Sequence, residues 1–329
     1  MNHRFLTLCT FASVLLAMPA FSQTTVRVSG LAYLDYNYQL SSPLTDEEGE
    51  NGFGYRRLYL TSDFTISDDF SARARLEAND GSTTAQGKPS PFVKDLYLRW
   101  KDSFAEGHDL WIGISSPPSF TVSERAWGYR SLEKTIQDRA GAVSSRDFGV
   151  ALRGQITDDG NVRYGVMFAN NNGERGENDK NKRVYGQLEF YPGETLTITV
   201  GGDYASFSDE RDNAVNGNAL VAHSSGDFTV GVEGFYQQTS LTDVDDSEDL
   251  YGISLFGRKN LNDKVTLVAR FDRVEMTAPG VEESENFFLG GVALRPHSNV
   301  EFIPNVIVSK LDGEDTSFVT GRATLHFRF

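Results

Sequence analysis

The sequence predicts an all-β protein: an antiparallel transmembrane β-barrel of sixteen strands, or fourteen, with a long third external loop folded into the lumen. Three observations predict it. Apolar and polar residues alternate with period two in segments of about ten residues, the length of a tilted strand crossing a bilayer. The connections between segments are alternately short and long. The pattern continues to the last residue, Phe329, so that the final segment must pair with the first, because open edges are not tolerated in lipid.

Sixteen segments follow one another, beginning near Thr25, Tyr55, Asp69, Phe92, His108, Arg146, Asn161, Lys182, Thr195, Asn216, Phe228, Asp249, Val265, Glu285, Val300 and Thr316. Strand side chains alternate sides, so each segment has two faces. In the second, Leu58, Leu60 and Phe64 oppose Arg57, Tyr59, Thr61 and Asp63; in the third, Phe70, Ala72, Ala74 and Leu76 oppose Ser71, Arg73, Arg75 and Glu77. In the fourth, Leu96, Leu98 and Trp100 oppose Asp95, Tyr97 and Arg99. The last sets Val319, Ala323, Leu325, Phe327 and Phe329 against Thr320, Arg322, Thr324, His326 and Arg328. Charges are nearly absent from the middle of the apolar faces, as expected where Lys or Arg at a lipid midplane costs roughly 2–4 kcal/mol. Aromatics such as Tyr36, Tyr38, Trp100, Tyr204 and Tyr236 fall at segment ends, as interfacial girdles do. The segments near Asn216 and Glu285 are the weakest, since either of their faces could be the apolar one; without them the count falls to fourteen.

Short turns such as 67–69, 158–161 and 192–194 alternate with polar loops at 45–51, 79–90, 170–181, 208–216 and 241–249. That is the layout of tight periplasmic turns and longer external loops, with both termini on the periplasmic side.

Residues 1–22 read as a cleaved signal peptide, leaving 23–329 as a single barrel domain. Arg4 supplies the positive start, 5–17 an apolar stretch too short to span, and Ala20-Phe21-Ser22 a small-x-small cleavage site. Cys9, the one cysteine, lies inside that leader, so the mature chain has no thiol chemistry; a lipid-modified Cys9 is disfavoured by the bulky Leu8 before it. No later stretch approaches 18 consecutive apolar residues, so no transmembrane helix is expected.

One connection breaks the rhythm. Residues 115–145 follow the fifth segment and read SSPPSFTVSERAWGYRSLEKTIQDRAGAVSS. Loops of this length are functional or disordered, and Phe120, Trp127, Tyr129, Leu132 and Ile136 are too apolar for disorder. A loop folded into the lumen gives them something to pack against; an external flap is the alternative. The polar faces of segments two to four carry Arg57, Arg73, Arg75 and Arg99, which on neighbouring strands make a basic wall. On the loop, Glu124, Glu133 and Asp138 could face that wall, with Arg125, Arg130, Lys134 and Arg139 among them. Opposed charges across a narrow passage order ions and polar solutes, and Arg filters favour anions. The wall arginines also have candidate partners in Asp63, Glu77 and Asp95.

The stretches FGYRRLYL, VKDLYLRW, WIGISSPPSF running on to GYRSLEKT, and SSRDFGVALRG resemble Gram-negative porins, in particular the phosphate-selective porin superfamily, over essentially the whole mature chain. The resemblance implies a sixteen-stranded, trimeric, water-filled barrel in the outer membrane whose third external loop folds inward. The chain is shorter than the phosphate-specific members and has no lysine-rich cluster to gather phosphate. The ending in Leu325, Phe327 and Phe329 resembles the C-terminal signature read by the barrel-assembly machinery. Expected partners are therefore that machinery, outer-membrane lipid and lipopolysaccharide, further copies of the chain, and small ions and polar solutes.

Other chemistry is poorly supported. The histidines of the mature chain, His108, His223, His297 and His326, show no metal-ligand spacing. A histidine beside serines in AHSSGD, 222–227, is the sole hint of a hydrolase, without a supporting motif. DVDDSED, 243–249, lacks the glycine and spacing of a calcium loop. A net charge of −15 disfavours nucleic acid. The expectation is a passive channel, not an enzyme, with no metal or cofactor. A non-conducting barrel with a structural or adhesive role is the alternative.

Overall fold

A computed structural model describes residues 24–44, 46–207, 211–242 and 246–329. The leader expected at 1–22 lies outside the described residues, as do 243–245 of the acidic DVDDSED run. The chain forms sixteen antiparallel strands, each paired to its sequence neighbours, in one closed barrel. They are β1 Thr25–Ser41, β2 Asn51–Thr65, β3 Phe70–Ala78, β4 Phe92–Trp100, β5 His108–Ser115, β6 Asp147–Gln155, β7 Val162–Ala169 and β8 Arg183–Phe190. The second half comprises β9 Leu196–Ser206, β10 Arg211–Ser225, β11 Phe228–Leu241, β12 Ser247–Asn262, β13 Val265–Ala278, β14 Val281–His297, β15 Val300–Leu311 and β16 Phe318–Arg328. Two short helices, α1 Thr121–Trp127 and α2 Ile136–Arg139, lie in the connection between β5 and β6. The barrel closes by β1 against β16, with Leu31 opposite Arg328 and Asp35 opposite Thr324. Phe329 extends the seam: its carbonyl accepts from the Gly30 N–H at 2.6 Å, and its N–H donates to the Gly30 carbonyl at 3.1 Å. Leu325 and Phe327 lie on the outward face beside it, with the Phe329 and Phe327 rings 5.9 Å apart.

The alternation is realised as two faces. Leu60, Leu96, Val166, Val200, Val221 and Ile253 are exposed outward, while Thr61, Asp95, Met167, Thr199 and Ser254, one place along in the chain or on the same strand, are buried inside. An unbroken apolar exterior on a closed sheet suits lipid, since every backbone group within the sheet is satisfied between strands. Rings mark both ends of that band: Phe70 with Trp100 at the turn end, 5.5 Å apart, and Tyr36 with Phe53 at the loop end, 4.9 Å apart.

β10 and β14, where both faces read as apolar, are full strands. Their inward faces carry Leu220, Ala222, Phe287, Leu289 and Ala293, and these do not meet water. They form one buried cluster with Val122, Trp127, Tyr129 and Leu132 of the loop, joined by Phe256, Val268 and Ile303. A second cluster sets Phe120, Ile136, Ala142 and Val143 against Ala151, Met167, Tyr185 and Phe235. The apolar core of this protein is therefore inside the barrel, between the wall and the inward loop. Gly252 on β12 leaves the room this needs, for a Cβ there would come within 2.8 Å of both the Phe235 ring and Ile136 Cδ1.

Candidate functional site

The inward loop spans 116–146. Its first helix, α1, ends at Gly128, whose left-handed backbone (φ 74°) lets the chain reverse, its N–H donating to the Glu124 carbonyl. A side chain at that position would also collide with the Arg258 guanidinium. After the reversal the Trp127 indole N–H donates to the Glu133 carbonyl at 3.0 Å, and the ring stacks edge-on with Tyr129 and Phe256.

Wall side chains hold the loop by its backbone carbonyls. Arg56 donates to the Ser131 and Leu132 carbonyls (2.5 and 3.0 Å), and Arg322 donates to Leu132 O at 2.7 Å. Arg183 and Gln237 meet at Ala142 O, at 3.0 and 2.9 Å. Arg270 reaches Lys134 O, and Gln187 reaches Ser119 O. Such bonds satisfy carbonyls that a buried irregular segment would otherwise leave unpaired. Arg56, Arg183, Arg270 and Arg322 hold the loop, a role that the sequence did not assign to them. Arg56 is instructive: Tyr33 pairs with Arg57 and Leu34 with Tyr55, so Arg56 is the extra residue of a β-bulge. The bulge turns Arg56 inward beside Arg57, where strict alternation would send it to lipid.

Across from the loop, β1, β2 and β3 turn Tyr33, Arg57, Tyr59 and Arg75 inward. Together with Glu124, Arg130 and Arg146 of the loop they line an open cavity of about 630 Å³. Arg57 lies over the Tyr59 ring at 4.9 Å and the Tyr33 ring at 5.8 Å, and Arg75 over Tyr59 at 4.6 Å. The matching carboxylates sit behind them. Glu77 accepts from Arg57 at 3.1 Å, and Asp95 is 3.0 Å from Arg75; both carboxylates are almost wholly shielded, 4% and 3% exposed. Guanidinium groups thus face the cavity, and their counter-charges do not.

The predicted site residues divide into three groups. Arg57, Arg75, Glu124 and Arg130 are brought together at this cavity, and Arg130 is tied to Glu124 at 3.3 Å. Arg73 and Arg99 lie nearer the turn end, paired to Asp63 at 2.6 Å and Asp109 at 2.5 Å. Arg125 also turns away, toward Glu189 at 3.9 Å. The rest of the loop charges do not face the basic wall: Asp138 is held by Arg130 at 3.1 Å and Lys134 at 3.7 Å, and Glu133 accepts from the Lys134 N–H. Arg139 crosses to the other wall, 3.1 Å from Asp272 and 2.8 Å from Glu285. Arg146 and Lys94 complete the charge pattern: Arg146 pairs with Asp95, and Lys94 with Glu77 and Glu174.

The hydrolase hint does not assemble. His223 and Ser224 are adjacent on β10 and so point to opposite faces. Ser224 bonds Thr229, and His223 packs on Phe228. His326 pairs with Glu301 at 2.9 Å. Among the described residues no group of three His, Cys, Asp or Glu is placed to hold a metal ion.

No protein-family model matches the sequence, and no curated protein does. Solved structures match by fold. The loop L8 deletion mutant of OmpT from Vibrio cholerae aligns with a TM-score of 0.69 at 15% identity, over 93% of this chain and 99% of that one. The trimer form of in-vitro folded OmpT aligns at 0.66 and 14%, over 93% and 99%. OmpF of Salmonella typhi, in complex with daunomycin, gives 0.68 at 11%, over 92% and 97%. An anion-selective porin from Comamonas acidovorans gives 0.65 at 11%, over 93% and 100%. Identities this low establish the fold alone, and that fold, shared over nearly the whole chain, is the sixteen-stranded barrel of the Gram-negative outer-membrane porins.

Proposed function

We propose that the protein is a passive outer-membrane channel for small hydrophilic solutes and ions, with a weak preference for anions. The observation that carries this reading is the open cavity between the inward loop and the Arg57–Arg75 wall. The apolar exterior supports residence in a bilayer, with the loop end outside and the turn end in the periplasm. Lipid and lipopolysaccharide would then contact the outward face, and Leu325, Phe327 and Phe329 would serve the assembly machinery. A homotrimer is part of the proposal, supported by the trimer form of OmpT. So is the leader at 1–22. The preference for anions follows from guanidinium groups lining the passage with Glu77 and Asp95 buried behind them. Phosphate specificity is not part of the reading, since no lysine lines the cavity among the described residues.

Folded protein in a planar bilayer under a KCl gradient should give stepwise conductance with a reversal potential of anionic sign. Glu124→Gln removes the one acidic side chain that lines the cavity among the described residues and should move that potential further toward the anion value. Neutralising Arg57 is a poorer test, because it breaks a buried pair with Glu77, leaving that carboxylate only Lys94 at 3.4 Å, and so disturbs folding as well as the field. Absence of steps from demonstrably folded protein would overturn the channel reading in favour of a structural or adhesive barrel.

A further inference from the structure

A second cavity, of about 290 Å³, lies on the turn-end side of the loop, apart from the passage between Glu124 and Arg57. Its walls carry three guanidinium groups, Arg125, Arg153 and Arg163, with the amides of Gln155 and Gln187. Its two carboxylates are already engaged. Asp109 accepts from Arg99 Nε and Nη2 at 2.9 and 2.5 Å, and Glu189 accepts from the Tyr191 hydroxyl at 2.5 Å, with Arg125 at 3.9 Å. Neither Arg153 nor Arg163 has a carboxylate within ion-pair distance among the described residues. Each instead spends one donor on a backbone carbonyl, Arg153 on Ser116 O and Arg163 on Gly160 O. Each guanidinium also lies on an aromatic ring, Arg153 over Trp111 at 4.6 Å and Arg163 over Tyr191 at 5.3 Å. The Arg153 Nε–H is buried without an acceptor. A guanidinium has five N–H donors, so most of this donor capacity is unspent.

We infer that this cavity is a binding site for a small carboxylate anion, held by Arg153 and Arg163 with Arg125 closing over it from the loop. Planar guanidinium groups match a carboxylate two bonds at a time. The aromatic rings fix them and screen one face from water, leaving the other for the ligand. The volume sits at the lower bound of small-molecule pockets, about 300 Å³, which suits a compact anion. The inference rests on the proposed channel only for how the anion would arrive.

Trp111, beside Arg153, reports on the site. Of the other tryptophans, Trp127 is buried in the loop core and Trp100 faces outward. In folded, detergent-held protein, iodide should quench Trp111 fluorescence more than caesium does, and malonate should relieve the iodide effect. Trp111→Phe should abolish the difference. Arg125→Gln with Arg163→Gln should lower the iodide-to-caesium ratio by about half, as the local field weakens; Arg125 is solvent-exposed, so Arg125→Gln alone serves where the double variant fails to fold. Equal quenching by both ions, or no response to malonate, would overturn the site even if the barrel conducts. Iodide preference in a barrel that does not conduct would keep the site and remove the channel.

Discussion

Excision of residues 119–138 should leave a folded barrel whose single-channel conductance is severalfold higher and whose anion preference is weaker. The loop packs against β10–β15 and, through Phe120 and Ile136, against β6–β8, and sixteen strands would enclose an aqueous channel once that filling is gone. Glu124 and Arg130 leave with it, so the transverse field between loop and wall disappears while Arg57 and Arg75 stay paired to Glu77 and Asp95. The excision exposes Leu220, Phe256, Leu289 and Ile303 to water, so folding is to be checked by heat-modified migration before recording. Unchanged conductance from a folded variant would show that the loop does not limit permeation.

The second large effect is expected from Trp127→Ala. Trp127 is 1% exposed, packs on Phe256 and Tyr129 with ring centroids 5.7 and 5.9 Å away, and lies under the Arg270 guanidinium. Truncating a buried tryptophan typically costs about 3–5 kcal/mol. Here that loss falls on the loop, because strand pairing is untouched. Protease should therefore cut within 116–146 while the strands resist, and the open channel should become noisy. Trp127→Phe should restore most of the protection. Equal protease resistance of Trp127→Ala and the parent would refute the anchoring role.

The barrel was readable from the chain because lipid imposes one rule on every strand, apolar outward, and period-two alternation records it directly. Where the inward face is also apolar, at Leu220 and Ala222 on β10 and at Phe287 and Leu289 on β14, the alternation fades. The cause is a loop more than 70 residues distant in sequence, which no local window contains. The basic wall was visible as residue types on a polar face, but its depth in the lumen was not. Depth depends on position along each strand and on the stagger between strands, which together place Arg57 and Arg75 at the cavity and Arg73 and Arg99 nearer the turns. Arg56 was hidden by the bulge opposite Tyr33, where one additional residue reverses the parity on which the reading relies. Arg139 was grouped with the loop charges facing the basic wall because it lies among them in sequence; its partners Asp272 and Glu285 belong to strands far along the chain.

A single-layer cylinder filled with water has little to resist flattening when the surrounding lipid presses on it. This one carries a crossbeam. The loop is tied to β2 and β16 through Arg56 and Arg322, to β8 and β11 through Arg183 and Gln237, and to β13 through Arg270 and Asp272. Those attachments lie on different sides of the circumference. Squeezing the cylinder along any diameter would have to stretch or compress some of them, so in the proposed channel the bore would keep its cross-section under membrane tension and permeation would be insulated from the mechanical state of the envelope.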